Sequence, residues 1–270
     1  MEEKAIGVFD SGLGGLTAVK ELMRLVPNEN IIYFGDTARV PYGNRSAETI
    51  TRYARQDIAF LLSQNVKILV DACGTMSSTL TKEYISTLPV PYLDVIDAAA
   101  QAAAAKTKNR KIGIIATAAT IKSNAFSRAL YKIDTSFELF AKACPLFVPL
   151  VENGFIARDN EVTKLVAKGY LQELADAGID TLILGCTHYP LISDIISDVI
   201  GRDVRLIDSG LEAAKEAVKR LDLKSGSEPG AHTFFTSDSP IGFLNVAAMF
   251  LGCDIKSNVT QIDIESVQPF

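Results

Sequence analysis

Short apolar runs alternate along this chain with segments whose apolar positions recur at helical spacing. The runs are "AIGVFD", "NIIYFGD", "VKILVDAC", "PYLDVI", "RKIGIIAT", "FELFAKAC", "TLILGC", "DVRLID" and "HTFFTS". Between them, Ile50, Tyr53, Ala54, Ile58 and Leu61 mark one helical face, opened by Ser46 as N-cap with Glu48 in the first turn. Val162, Leu165, Val166, Tyr170 and Leu174 mark another, which stops near Gly178. Strands alternating with helices, several strands being continuous apolar runs, predict an α/β fold with mostly parallel sheets covered on both faces.

The pattern also repeats. "AIGVFDSGLGGLTAVK", from Ala5, resembles "KIGIIATAATIKSNA", from Lys111, and "ILVDACGT", from Ile68, resembles "LILGCTH", from Leu182. Both pairs read as strand, small or polar turn, helix. Two similar α/β domains in a pseudo-twofold relation are the simplest reading, with a cleft between them. The first would take residues 1–97 plus 208–270 and the second 98–207, the chain crossing in the alanine-rich stretch Ala98–Ala105 and again at Asp208.

Composition narrows the partners. A chain of 270 residues, 48% hydrophobic and 22% charged, can bury a sizeable core. A net charge of −5 without a long basic run speaks against nucleic acid as the main partner. No apolar run approaches the ~18 residues a membrane span requires, and "MEEKAIGVFD" lacks the layout of an export signal. The expected location is therefore the cytoplasm. There the four cysteines, at 73, 144, 186 and 253, are reduced thiols without metal-finger or redox spacing, and the sequon "NVT" at Asn258 has no meaning.

Polar residues gather at the carboxyl ends of the predicted strands, where open α/β sheets bind ligands: Asp10, Asp36, Cys73, Thr117 and Cys186. "SGLGG" after Asp10 is not a dinucleotide fingerprint, because Thr17 stands where the third glycine belongs. A glycine turn opening a helix would still aim N–H groups at an anion such as a carboxylate, or be a plain βα turn. A lone cysteine at a strand end is usually a small hydrophobe. Cys73 and Cys186, at matching places in two similar halves, could instead face one carbon from opposite sides, one taking a proton and the other giving one. From the residues alone, Glu152 in "LVENG" reads more readily as a solvated side chain before an Asn-Gly turn, and Tyr42 in "VPYG" could be a turn aromatic. His232, Cys144 and Cys253 read as structural.

Through "FDSGLGGLT", "FGDTARVPYG", "ACGT", "PLFVPLVENG", "LGCTHYPLI" and "HTFFTSDSPIGFLNVAAMFLG", the chain resembles the glutamate racemases of the cofactor-independent aspartate/glutamate racemase superfamily. The resemblance implies a two-domain enzyme interconverting L- and D-glutamate, supplying D-glutamate for peptidoglycan, often as a homodimer and with no cofactor or metal. Carried over by position, Cys73 and Cys186 are the acid/base thiols. Asp10 assists Cys73, while Glu152 and His188 assist Cys186; Asp36 is a weaker candidate. Asp10, Ser11, Tyr42, Gly43, Gly74, Thr75, Thr187 and His188 line the substrate site, and Thr117 and Thr120 hold a substrate carboxylate.

One position departs from the family, which usually has asparagine after the first catalytic cysteine where this chain has Gly74. The expectation is that Gly74→Asn would leave turnover intact and change mainly KM. A racemase for aspartate or another small acidic amino acid would share both cysteines. A thiol redox or zinc protein, or a non-enzymatic amino acid binding module that closes on one enantiomer, remain the readings from other classes.

Overall fold

The computed structural model describes residues 4–221, 228–253, 255 and 259–270, so Asn258 lies outside the described residues. The strands among them are β1 (Ala5–Asp10), β2 (Ile31–Gly35), β3 (Val66–Asp71), β4 (Tyr92–Asp94), β5 (Lys111–Ala116), β6 (Glu138–Ala143), β7 (Thr181–Leu184), β8 (Arg205–Asp208), β9 (His232–Thr236) and β10 (Val259–Gln261). They form a six-stranded sheet, ordered β10-β9-β2-β1-β3-β4, and a four-stranded sheet, ordered β6-β5-β7-β8. Every pairing is parallel. Nine strands coincide with the apolar runs. The short β10 has no run of its own: it adds to the edge of β9, and one residue in three of "VTQ" is even partly covered.

The two sheets share one winding. β2-β1-β3-β4 in the first corresponds to β6-β5-β7-β8 in the second, and the last strand of each set ends in an aspartate that caps the next helix. Asp94 accepts from the N–H of Ile96 and Asp97 at the start of Val95–Lys106. Asp208 accepts from Gly210 and Leu211 at the start of Ser209–Arg220. Those two helices pack on each other. The six-stranded sheet draws its strands from residues 5–94 and 232–261, and the four-stranded sheet from 111–208.

Local signals act as their chemistry requires. Ser46 Oγ accepts from Thr49 N and opens the helix Ala47–Ser63. Glu161–Asp176 is capped by Asn160 and ends before Gly178, whose φ of +70° suits a residue without Cβ. Side chains of β1 alternate between faces, so Ile6 and Val8 join a core that also contains Ile112, Ile114, Leu182 and Ile183 of the second sheet. Phe9 joins Phe34, Ile58 and Leu61 beneath the helix Ala47–Ser63. That one core runs through both sheets fixes their mutual placement, and with it the cleft at their carboxyl edges.

Candidate active site

Asp10 ends β1, Cys73 follows β3 by two residues, Thr117 follows β5 by one and Cys186 follows β7 by two. Parallel strands send these residues to the same edge. They line one cavity of about 430 Å³, together with Ser11, Tyr42, Gly43, Gly74, Thr75, Glu152, Thr187 and His188.

The two thiols have different surroundings. The Cys73 thiol donates to Ser11 Oγ at 3.3 Å, and Cys73 N donates to Asp71 Oδ1 at 2.9 Å. Burial pushes this thiol well up, and the Asp10 and Asp71 carboxylates push it further. It is therefore a neutral S–H at physiological pH. Cys186 Sγ lies 3.8 Å from His188 Nδ1, and His188 Nε2 donates to Glu152 Oε1 at 3.0 Å. Burial alone would lower the imidazole, but sulfur on one side and carboxylate on the other outweigh it, and the pKa rises to about 10. The ring also meets Phe250 edge-on, with centroids 5.2 Å apart. His188 is thus an imidazolium between Cys186 and Glu152, held from three sides.

The glycine turn after Asp10 serves a different anion from the one a helix start suggests. Asp10 Oδ1 itself accepts the Gly12 N–H at 2.9 Å, and the Gly15 N–H also reaches this carboxylate. Burial raises the Asp10 pKa against the pull of His188 and those two N–H groups. The turn is spent on a residue of the chain. Gly14 has a second reason to lack a side chain, since a Cβ there would stand 2.6 Å from His188 Nδ1. Thr17, the residue that breaks the dinucleotide pattern, donates to Gly14 O at 2.9 Å and to Thr187 O at 3.1 Å, and so ties the first sheet's loop to the second's.

Threonine hydroxyls meet across the cleft floor. Thr75 Oγ1 is 3.1 Å from Thr117 Oγ1, which caps the helix Ala118–Ser123 and lies 3.0 Å from Thr120 Oγ1. Thr120 is buried and is not among the residues that line the cavity, which its hydroxyl meets through Thr117. Asp36 is likewise outside the cavity. Buried, it accepts from Arg39 Nε at 2.6 Å, from Ser237 Oγ at 2.8 Å and from the Tyr42 hydroxyl. Its effect on the site runs through Tyr42, whose ring lines the wall while its hydroxyl is engaged away from it.

Gly74 overturns another expectation. A Cβ at this position would lie 2.6 Å from the backbone oxygen of Gly185. Backbone cannot swing aside as a side chain can, so an asparagine has no room in this arrangement of the sheets. The glycine is matched to the close approach of β3's end to β7's end, and the KM-only expectation for Gly74→Asn does not stand.

The sequence reading missed the apolar wall of Val40, Pro41, Ala118, Pro145, Val148 and Pro149. Its signal was present in the apolar, proline-bearing "PLFVPL", which lies beside Glu152.

The chain matches the family model described as Asp/Glu/Hydantoin racemase over residues 7–217. It is 46% identical to the glutamate racemase of Geobacter metallireducens over 270 aligned residues, covering 98% of this chain and 99% of that one. Among solved structures, glutamate racemase from Francisella tularensis in complex with D-glutamate superposes with a TM-score of 0.89 at 38% identity, covering 98% of this chain and 100% of that one. Glutamate racemase isoform RacE1 from Bacillus anthracis superposes at 0.90 and 36% identity, covering 97% and 99%. With two matched thiols at the ends of equivalent strands in one cavity, and near full-length similarity to these enzymes, the chain belongs to the Asp/Glu/hydantoin racemase family, among its glutamate racemases.

Proposed function

We propose that this glutamate racemase works by two bases, with Cys73 and Cys186 exchanging a proton with Cα from opposite faces. The observation that carries the reading is the placement of both thiols on one cavity at equivalent strand ends of two sheets with the same winding. Carbon acids of this kind need a base on one side and an acid on the other in the same encounter, and a thiol serves as either near neutral pH. Cys73 begins as the acid, held as S–H by burial and by its carboxylate neighbours. Cys186, 3.8 Å from His188 Nδ1, takes the other part and accepts the proton. One turnover moves a proton from Cα to one sulfur and from the other sulfur to Cα, leaving the thiols in the reverse state for the opposite enantiomer.

The remaining wall suits a glutamate. Ser11, Thr75, Thr117 and Thr187 offer hydroxyls to carboxylates, while buried Asp10 suits the ammonium group. His188 is the cationic side chain among the cavity residues, so carboxylate binding falls to hydroxyls and backbone N–H groups. We take residues 1–97 with 208–270 as one domain and 98–207 as the other. No helix among the described residues is long and apolar enough to cross a membrane. A cytoplasmic homodimer that supplies D-glutamate for peptidoglycan, without cofactor or metal, completes the proposal, and the exposed Leu165 and Ile241 are available for the dimer contact.

Chiral analysis of L-glutamate and L-aspartate incubated with the pure protein, and with its Cys73→Ala and Cys186→Ala variants, tests the reading. Glutamate should equilibrate to equal enantiomers with the native chain and with neither variant. Near-normal turnover by either variant would refute the two-base assignment, and a preference for aspartate would refute the substrate. Dialysis against a chelator should leave the rate unchanged.

A further inference from the structure

Cys73 has a polar neighbour that Cys186 lacks. Aligning "ILVDACGT" with "LILGCTH" sets Cys73 against Cys186, Ala72 against Gly185 and Asp71 against Leu184. Leu184 is an ordinary buried side chain of its strand. Asp71 is equally buried, at 0% exposure, and is not part of the cavity wall. A carboxylate in such a place is costly unless something uses it.

Both of its oxygens are committed. Asp71 Oδ1 accepts the backbone N–H of Cys73 at 2.9 Å, and Oδ2 accepts the Tyr92 hydroxyl at 2.7 Å. Tyr92 belongs to β4, the strand paired with β3 at Leu69↔Tyr92, so the sheet itself holds the clamp. After β3 the Ala72 N–H still donates to Phe9 O of β1, and the Cys73 N–H is the next donor, where the chain turns into the short helix Gly74–Ser77. Its acceptor decides the direction in which the cysteine leaves the sheet.

We propose that Asp71 is a positioning residue for Cys73: clamped by Tyr92, its side chain fixes the cysteine backbone at the strand end and so sets where the sulfur stands. The inference rests on the reading of Cys73 as an acid/base thiol. The titratable groups facing this pair are Asp10 of β1, Tyr33 of β2, Asp57 of the helix Ala47–Ser63, and Tyr92 and Asp94 of β4. All are acids or phenols, and burial raises the Asp71 pKa well above the usual carboxylate range, so its hold on Cys73 is one of geometry and needs no charge.

The test measures alkylation of each cysteine by iodoacetamide against pH, by peptide mass spectrometry, alongside kcat and KM for glutamate. Asp71→Asn keeps an acceptor for Cys73 N and a partner for Tyr92, so its kcat and its Cys73 alkylation profile should stay within about twofold of native. Asp71→Leu copies Leu184 and removes the acceptor; its kcat should fall about tenfold with KM nearly unchanged, and its Cys73 alkylation rate should shift while that of Cys186 does not. A native kcat in the Leu variant, or an Asn variant that loses as much kcat as the Leu variant, overturns the proposal. Should the Asn variant not fold, the Leu variant gives both readings alone. Alkylation is scored without turnover, so this inference and the Cys73→Ala test of the function fail independently.

Discussion

At the scale of single residues, the site works by treating two chemically identical thiols differently. His188 sets the difference on one side. Its proton is held more tightly in the folded chain than in the unfolded chain, because the pKa rises from an ordinary value of 6.5 to about 10. The stability this provides is fully present below about pH 6.5 and is lost as pH rises through about 10. Glu152 is 44% exposed, so its share of that stability is reduced by solvent. The pH profile of kcat should accordingly lack a histidine limb near neutrality. Glu152→Gln should bring the alkaline limb to lower pH and reduce kcat roughly tenfold or more; an unmoved limb would show that Glu152 does not govern the imidazole. Gly74→Ala should destabilise the protein by about 1–3 kcal/mol in urea titration, since its methyl meets backbone rather than a movable side chain. Cys73, Cys186 and Gly74 could be singled out in the sequence because each has a partner in the repeat or a family pattern to depart from. Asp71 could not. In "VKILVDAC" it reads as the end of a strand, and only the pairing with Tyr92 across β4 reveals its use.

Among elements, the loop between β2 and the helix Ala47–Ser63 shows what local reading misses. Its site residues are Val40, Pro41, Tyr42 and Gly43, and its anchor is Arg39. The guanidinium donates to Asp36, to Gln56 Oε1 at 2.6 Å, to Asp57 Oδ1 at 3.1 Å and to Glu265 Oε1 at 3.3 Å. Gln56 in turn donates to the backbone oxygens of Ile264 and Val267. Residues far apart in the chain thus brace one cavity wall. No spacing rule could have joined Arg39 to Glu265. Arg39→Ala would leave Asp36 and Asp57 buried without their cation, and should cost about 3–5 kcal/mol of unfolding free energy with a rise in KM as Tyr42 loosens. A change under about 1 kcal/mol would show the network to be dispensable. Helix signals were legible by contrast, because a cap is a local device: Ser46 and Gly178 act within a few residues of themselves. Strands announced themselves as apolar runs except β10, whose "VTQ" is placed by pairing with β9 rather than by its own pattern.

For the whole molecule, the repeated winding places one thiol at each of two matching strand ends, and a continuous core holds the sheets so that both reach one cavity. The doubling was visible in the sequence through "ILVDACGT" and "LILGCTH"; the closeness of the fit, set by Gly14, Gly74 and Thr17, was not. The central claim is that separate groups serve the two faces of Cα, and hydrogen exchange addresses it directly. L-Glutamate incubated with the enzyme in deuterated water should give D-glutamate carrying deuterium at Cα from the earliest times, while the remaining L-glutamate stays protiated, because the group that removes the proton is not the group that replaces it. Early D-glutamate that retains most of its protium at Cα would mean that a single base returns the same proton, and would contradict the account.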